Sequence, residues 1–229
     1  MSTDFIDENL INLRASIAAA TDAAGRAPNS IRLIAVSKTV TADVIKTAHD
    51  HGQRAFGENR VQELEIKVPR LPNDCEWHLI GHLQKNKVRS AVQLATWIHS
   101  VDSASLLKRI DRIAAEEQRH PQILLQVNVA SEDSKFGLNV SEVKSLLELA
   151  LQCQNVECRG FMTIAPFDIP PKDLHHIFAT LRNLRDELAA EFGVSLPELS
   201  MGMSGDFPIA IEEGATMVRI GTAIFGKRS

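Results

Sequence analysis

A lysine directly follows a short apolar run near the start of the chain. Lys38 comes after the segment 32–37, whose apolar residues predict a buried β-strand. An amine at the end of such a strand loses hydration, and lost hydration lowers the pKa of a lysine. An uncharged amine is a nucleophile that forms an imine with an aldehyde. Lys38 is therefore a candidate for covalent chemistry, and the alternative is a strand-end ammonium that simply reaches water.

The elements that must position this lysine alternate regularly. An opening amphipathic helix is predicted from Ile6, Leu10, Leu13, Ile17 and Ala20, which recur at spacings of three and four. Short apolar strands are predicted at 32–37, 54–57, 77–81, 97–101, 123–129, 158–164, 199–203 and 217–220. Helical stretches fill the gaps, at 44–51, 60–68, 85–94, 104–118, 141–151, 172–192 and 207–213. Such alternation permits an open doubly wound sheet or a closed barrel. The count of eight, without a Gly-x-Gly-x-x-Gly motif, favours an α/β fold of one (β/α)8 TIM barrel with an extra N-terminal helix.

Composition limits the classes of protein to consider. The chain has 229 residues with 44% hydrophobic and 24% charged residues, typical of a soluble globular protein, and we expect one domain over residues 1–229. A net charge of −4 implies no general attraction to nucleic acid or anionic membrane. No apolar run is long enough to span a bilayer. Three scattered cysteines fit a reducing compartment. We therefore expect a cytoplasmic protein with no nucleic-acid or membrane partner, and we expect a monomer because the sequence predicts no second-domain interface.

Polar residues follow the predicted strands. Active groups of such barrels lie at the C-terminal strand ends, which here carry Lys38, Asn59, His82, Asp102, Asn128, Thr163, Ser204 and Arg219. Phosphate sites tend to lie after strands seven and eight, where the sequence has 204–206 (Ser-Gly-Asp) and 221–223 (Gly-Thr-Ala). Both loops supply a hydroxyl, a glycine and backbone amide donors. Each alone reads as an ordinary turn, but together Ser204, Gly205, Gly221 and Thr222 predict a bound phosphate.

Arg219 lies one residue inside the end of the eighth strand. If Val218 and Ile220 face the helices, the Arg219 side chain faces the barrel axis, where a cation requires a partner. One interpretation is a buried salt bridge to a carboxylate such as Glu58. The other is a donor to a ligand acceptor, for instance a pyridine nitrogen.

Two further groups of residues have less specific patterns. His78 and His82 would share a strand face, but nothing supplies an obvious third ligand, so we expect no metal site. Residues 135–137 (Lys-Phe-Gly) follow the fifth strand, where they either line the mouth of the barrel or form a plain loop.

Five segments resemble the pyridoxal phosphate homeostasis proteins. They are 35–39 (AVSKT), 56–59 (FGEN), 77–87 (WHLIGHLQKNK), 200–207 (SMGMSGDF) and 218–226 (VRIGTAIFG), and they cover essentially the whole chain in order. The resemblance implies a single barrel of the alanine-racemase N-terminal-domain type that carries pyridoxal 5′-phosphate (PLP). It implies that Lys38 holds the aldehyde as an internal aldimine and that Arg219 meets the pyridine nitrogen. Phosphate binding would fall to Ser204, Gly205, Gly221 and Thr222, with Asn59 and His82 beside the ring.

The family is associated with PLP balance rather than a firm turnover reaction. An arginine at the pyridine nitrogen disfavours its protonation and makes the ring a poor electron sink. Barrel-type alanine racemases use a tyrosine from a second domain, whereas this sequence has no tyrosine. We therefore predict a reversible PLP carrier or buffer without efficient racemase activity, whose partners are PLP, amino acids and apo-enzymes that need PLP. The alternatives are a slow PLP-dependent amino-acid racemase or lyase, and a PLP-free barrel enzyme that uses Lys38 on a phosphorylated metabolite.

Overall fold

The computed structural model describes residues 4–132 and 136–226. Lys135, part of the predicted mouth loop, lies outside the described residues. The strands are β1 (Arg32–Val36), β2 (Ala55–Glu58), β3 (Glu76–Leu79), β4 (Trp97–Val101), β5 (Gln122–Gln126), β6 (Glu157–Met162), β7 (Glu198–Ser200) and β8 (Met217–Ile220). The α-helices are α1 (Asp4–Ala23), α2 (Ala42–Asp50), α3 (Val61–Lys67), α4 (Val88–Leu94), α5 (Ala104–Glu117), α6 (Val140–Gln152), α7 (Pro171–Phe192), α8 (Phe207–Glu212) and α9 (Thr222–Phe225). Short 3₁₀ helices occupy Val68–Arg70 and Lys85–Lys87.

The eight strands close into a parallel barrel. They follow one another around the sheet in chain order, and β1 pairs with β8 through the register Ile34↔Arg219 and Ala35↔Ile220. Because every strand is parallel to its neighbours, all C-terminal strand ends meet at one face of the barrel. The predicted (β/α)8 barrel is therefore confirmed, and so is the opening helix.

The barrel has two buried layers. A small apolar cluster in the interior draws one residue from each of six strands: Ile34, Ala55, Trp97, Leu124, Met162 and Met217. The larger cluster lies between the sheet and the surrounding helices and includes Val218 and Ile220. Alternate residues of β8 thus face the helices, which turns the side chain of Arg219 to the barrel interior as predicted.

Several predicted strands extend too far at their C-terminal ends. Residues 127–129, 163–164 and 201–203 lie beyond β5, β6 and β7. After β5 the chain folds back, so that the amide of Asn128 donates to the carbonyl of Leu138. After β7, Gly202 has a φ of +93°, which ends the extended conformation. Apolar residues beyond the strand ends, such as Val127 and Met201, are still buried. Hydrophobicity alone therefore does not predict where a strand ends.

Helix α1 packs on the outside of the barrel against α8 and α9. Ile6 and Leu10 are fully buried, and the side-chain amide of Asn9 donates to the carbonyl of Ile224 at 3.0 Å. The short helix α9 follows β8 directly and was not among the sequence predictions, because four residues are too few to show a helical period. No helix in the described part of the chain is long and apolar enough to cross a membrane.

Candidate functional site

A cavity of about 360 Å³ lies at the C-terminal face of the barrel. Six of the predicted site residues line it: Lys38, Asn59, Ser204, Arg219, Gly221 and Thr222. The remaining wall is mainly apolar and comes from Val36, Ile80, Gly81, Ile164 and Met203. Residues from β1, β2, β7 and β8 or from the loops after them thus converge on one space, as the strand-end argument predicts. Of the other predicted residues, Gly205 is adjacent to Ser204 in the loop after β7, and His82 lies in a neighbouring cavity.

Lys38 occupies a tight turn just beyond β1. The amide of Val40 donates to the carbonyl of Ser37 at 2.9 Å, which places Lys38 second and Thr39 third in a four-residue turn. Thr39 has a φ of +64°, the feature that defines a type II turn and that glycine or asparagine usually supplies. A β-branched residue in this conformation is strained by roughly 1–3 kcal/mol. The turn holds the half-buried Lys38 side chain against the cavity.

A buried ion pair fixes the strand end before this turn. Glu58 is fully buried at the end of β2, and its Oε1 accepts hydrogen bonds from Lys67 Nζ at 2.8 Å and from Ser37 Oγ at 2.7 Å. Lys67 Nζ also donates to the carbonyl of Ser37 at 2.8 Å. Burial raises the pKa of the Glu58 carboxyl, although the hydrogen bonds from Lys67 and Ser37 oppose the rise. The pair therefore ties α3, β2 and the residue preceding Lys38 together.

Arg219 is buried and held by two hydrogen bonds. Its Nη1 donates to Ser200 Oγ at 2.7 Å and its Nη2 donates to the carbonyl of Thr163 at 2.8 Å. The predicted alternative, a salt bridge to Glu58, is wrong, because Glu58 pairs with Lys67 on the side of the sheet nearer α3. Burial lowers the pKa of the Arg219 guanidinium to about 10, with the charge of Asp206 acting in the opposite direction. The two bonds use two of its five N–H donors.

The loops after β7 and β8 present amides and hydroxyls to the same cavity. The carbonyl of Met203 accepts from the amides of Asp206 and Phe207, and Asp206 Oδ1 accepts from the amide of Met203. These bonds close the turn without using the amides of Ser204 or Gly205. Apart from its chain neighbours, a Cβ on Gly205 would meet no atom of the described residues within 4 Å, so a ligand has room to approach this backbone.

The loop after β8 is arranged in the same way. Ile224 and Phe225 donate their amides to the carbonyl of Gly221, which starts the helix α9. Thr222 and Ala223 lie in the first turn of this helix, where backbone N–H groups have no acceptor within the helix. Thr222 also exposes a hydroxyl at the cavity wall.

Asn59 and Gly81 form the boundary between the cavity that Lys38 lines and a neighbouring one, since both residues line each cavity. A Cβ on Gly81 would lie 2.2 Å from the carbonyl oxygen of Asn59, so this close approach of two strand ends requires glycine. His82 lies on the far side, 37% exposed, and stacks on Phe136 with ring centroids 3.9 Å apart. Its Nδ1 is 3.7 Å from Asp102 Oδ2. Of the predicted mouth loop, Phe136 thus contacts a residue that lines the neighbouring cavity but does not line either cavity itself.

His78 and His82 do not share a strand face. β3 ends at Leu79, and His78 is fully buried inside the barrel, where it contacts His99 and Glu76. Within the described ranges, three possible metal-ligand atoms come together at His49, Asp74 and Cys75, which precede β3 and do not line the cavity that contains Lys38. Burial raises the pKa of the Cys75 thiol to about 11, which disfavours the thiolate that a metal needs.

Sequence reasoning missed the residues that support the site. Lys67 and Ser200 were not among the candidates, and His99 was not singled out within its strand. Alternation along β4 does place Trp97 and His99 on the inward face, so this signal was available. The partners of these side chains depend on the register between strands, and the pattern of residues within one segment does not predict that register.

Comparison with known proteins agrees with this architecture. The family described as "Alanine racemase, N-terminal domain" matches residues 9–229. A pyridoxal phosphate homeostasis protein from Aquifex aeolicus (strain VF5) is 44% identical over 222 residues, which cover 96% of this chain and 97% of that protein. The chain belongs to the pyridoxal phosphate homeostasis protein family. The resemblance recognised in the five sequence segments is therefore confirmed.

Solved structures place this family member among barrels of the alanine-racemase type. PipY of Synechococcus elongatus PCC7942, solved with PLP bound, is 43% identical, with a TM-score of 0.85 over 96% of this chain and 100% of that one. Alanine racemase of Clostridium difficile 630 is 14% identical, with a TM-score of 0.75 over 98% of this chain and 57% of that one. The second likeness shows a shared fold alone. The predicted barrel of the alanine-racemase N-terminal-domain type is confirmed.

Proposed function

We propose that this protein binds PLP reversibly in the cavity at the C-terminal face of the barrel and takes part in the intracellular balance of PLP. The observation that carries the proposal is the convergence of six predicted residues on one cavity of about 360 Å³. That volume falls in the usual range for small-molecule sites. The relative solved with PLP bound supports the choice of ligand. When bound, PLP supplies an aldehyde, an aromatic ring with a pyridine nitrogen, and a phosphate.

The residues around the cavity suit these three parts of the ligand. Lys38 is the amine for the aldehyde, held at the rim by its turn. Arg219, fixed from behind by Ser200 and the carbonyl of Thr163, donates to the pyridine nitrogen. The phosphate lies between the loops after β7 and β8, where the amides and hydroxyls of Ser204, Gly205, Gly221 and Thr222 bind it. Asn59 lies beside the ring, and His82 closes the outer side of the mouth from the neighbouring cavity.

Two features favour a carrier over a racemase. Arg219 can only donate, so the pyridine nitrogen stays unprotonated and the ring withdraws electrons weakly. A racemase also needs an acid–base group on each face of the substrate carbon. Lys38 can serve one face, but the sequence has no tyrosine, and none of its three cysteines lines the cavity. A slow amino-acid racemase or lyase is the alternative that turnover measurements would reveal.

Partners and location follow from the same proposal. We expect PLP to pass between this protein and apo-enzymes that need it, with amino acids able to remove it as imines. We expect a monomer, because residues of a single chain line the cavity. Cys75, Cys153 and Cys158 are all free thiols, which fits the cytoplasm.

Titration with PLP tests the proposal directly. Addition of PLP to the purified protein should produce a visible absorbance band and a saturable, dialysable complex. Lys38→Ala should abolish the band, whereas Lys85→Ala, a change at an exposed lysine near the mouth, should leave it intact. An apo-enzyme supplied with the complex should regain activity. No band with the wild-type protein would contradict PLP binding, and rapid turnover across a panel of amino acids would replace the carrier with an enzyme.

A further inference from the structure

A line of hydrogen-bonded polar side chains runs through the interior of the barrel. The interior apolar cluster takes no residue from β3 or β7. At the corresponding places these strands supply His78 and Ser200, and β4 supplies His99 next to Trp97. All three polar residues are fully buried. Buried polar groups are costly unless each is hydrogen-bonded, so their arrangement needs an explanation.

The three residues form one continuous hydrogen-bonded chain. His78 Nε2 lies 2.8 Å from Glu76 Oε1, and His78 Nδ1 lies 2.9 Å from His99 Nε2. His99 Nδ1 lies 2.9 Å from Ser200 Oγ, which in turn accepts from Arg219 Nη1 at 2.7 Å. Glu76 begins β3 at the N-terminal face of the barrel and is partly exposed, whereas Arg219 lines the cavity at the opposite face. The chain therefore joins the two ends of the barrel.

The chemistry of the two end groups gives the chain a direction. A carboxylate only accepts and a guanidinium only donates. The charged groups acting on the two rings are Glu76, Arg32, Glu198 and Arg219. Burial lowers the pKa of both histidines, so each ring is neutral near pH 7 and carries one proton.

These constraints assign every proton in the chain. His78 must donate from Nε2 to Glu76, which leaves its Nδ1 to accept from His99 Nε2. His99 Nδ1 then accepts the only proton of the Ser200 hydroxyl. Ser200 consequently turns a lone pair toward Arg219, and every hydrogen bond points from Arg219 toward Glu76.

We propose that His78, His99 and Ser200 are positioning residues that hold Arg219 as a donor to the bound cofactor, with Glu76 at the far end of the barrel setting the direction of the chain. The inference rests on the proposed function for the role of Arg219 toward the pyridine nitrogen. Without the Glu76 carboxylate, His78 is free to take the other tautomer. His99 would then donate to Ser200 instead of accepting, and the bond that orients Arg219 would weaken.

The first test needs no cofactor. Nitrogen-15 NMR of the imidazole rings in PLP-free protein should show His78 and His99 as neutral rings that are protonated at Nε2 and bare at Nδ1. Glu76→Leu should change the signals of His99, two links away. Glu157→Leu is the matched control, because Glu157 begins β6, pairs with Arg159 and lies outside the chain. A cationic ring or an Nδ1-protonated ring in the wild-type protein would overturn the proposal without any variant, as would equal His99 signals in the wild type and Glu76→Leu.

The second test measures what the chain does to the cofactor. His99→Leu removes the hydrogen bonds of His99 to His78 and to Ser200. It should weaken PLP affinity by roughly five- to tenfold, the amount expected for the loss of one hydrogen bond to the cofactor. It should also shift the absorbance maximum of bound PLP. His99→Asn places an amide oxygen near the position of Nδ1, so it should restore the Ser200 link and part of the lost affinity. Equal affinity and spectra for the wild type, His99→Leu and Glu76→Leu would refute the positioning role. If the wild-type protein bound no PLP, the proposed function would fail, while the NMR test would still decide whether the chain exists.

Discussion

Replacement of Lys67 by methionine is the perturbation whose cost the structure defines best. Glu58 is fully buried and Lys67 has a side chain only 5% exposed, so the substitution leaves a buried carboxylate without its cation. Removal of one partner of a buried pair costs about 3–5 kcal/mol in free energy of unfolding. For a chain of this length each kcal/mol lowers Tm by about 2–4 °C. We therefore expect Lys67→Met to lower Tm by roughly 6–20 °C.

The pH dependence of this loss gives the prediction its specificity. The pKa of the Glu58 carboxyl is raised in the folded protein. The ionised carboxylate therefore lowers the free energy of unfolding by its full amount at a pH above the folded pKa. It has no effect at a pH below the pKa of the unfolded chain. Lys67→Met raises the folded pKa further. The destabilisation should therefore be largest at about pH 7.5 and should shrink at about pH 5, as the carboxyl takes up a proton.

Urea unfolding of matched variants measures these effects. Lys46→Met is the control, because Lys46 is 55% exposed and pairs with Asp50 one turn further along the same helix, α2, so it should cost less than about 1 kcal/mol. Adding Glu58→Gln to Lys67→Met should recover a large part of the stability, since neither position of the former pair then carries a buried charge. A Lys67→Met variant as stable as the control, or one whose loss is the same at both pH values, would refute the reasoning.

Further predictions concern the cavity and its turns. Arg219→Ala should weaken PLP retention at least tenfold and shift the visible spectrum, because a charged donor to the ring is lost; an unchanged spectrum would remove Arg219 from the ligand. Ser204→Ala should cost roughly 1–3 kcal/mol in PLP binding, read by equilibrium titration, and equal retention would argue against a phosphate contact. Gly81→Ala should displace the Asn59 carbonyl and weaken both folding and PLP binding, and a crystal structure with Asn59 unmoved would contradict this. Thr39→Gly should raise the free energy of unfolding by about 1 kcal/mol, because glycine adopts a positive φ without strain. A lower free energy of unfolding, measured by denaturant unfolding, would show that the turn is not strained.

The sequence alone was enough to predict the barrel, for a physical reason. Each strand of a barrel covered by helices is buried on both faces, so it appears as a short apolar run between helical periods. Gly52 and Gly214, which follow the ends of α2 and α8, adopt the positive φ that commonly ends a helix. The polar residues that follow these runs converge because all parallel strands end at one face.

Partners across strands could not be predicted. Arg219 was correctly turned inward, but its acceptors, Ser200 and the carbonyl of Thr163, are 19 and 56 residues away in the chain. Glu58 was considered for Arg219, yet it pairs with Lys67 because α3 brings that amine back over the end of β2. His82 belongs to the neighbouring cavity because β3 ends three residues before it. Such contacts follow from register and from loop paths rather than from composition.

Attachment of PLP to Lys38 is the claim on which the account depends most. Borohydride reduction of the PLP-loaded protein, followed by proteolysis and mass mapping of the peptides, would locate the attached cofactor. The account predicts a single labelled lysine at position 38, with label lost in Lys38→Ala and kept in Lys85→Ala. Label on other lysines alone, or an unlabelled peptide around residue 38 in a protein that retains PLP, would contradict it.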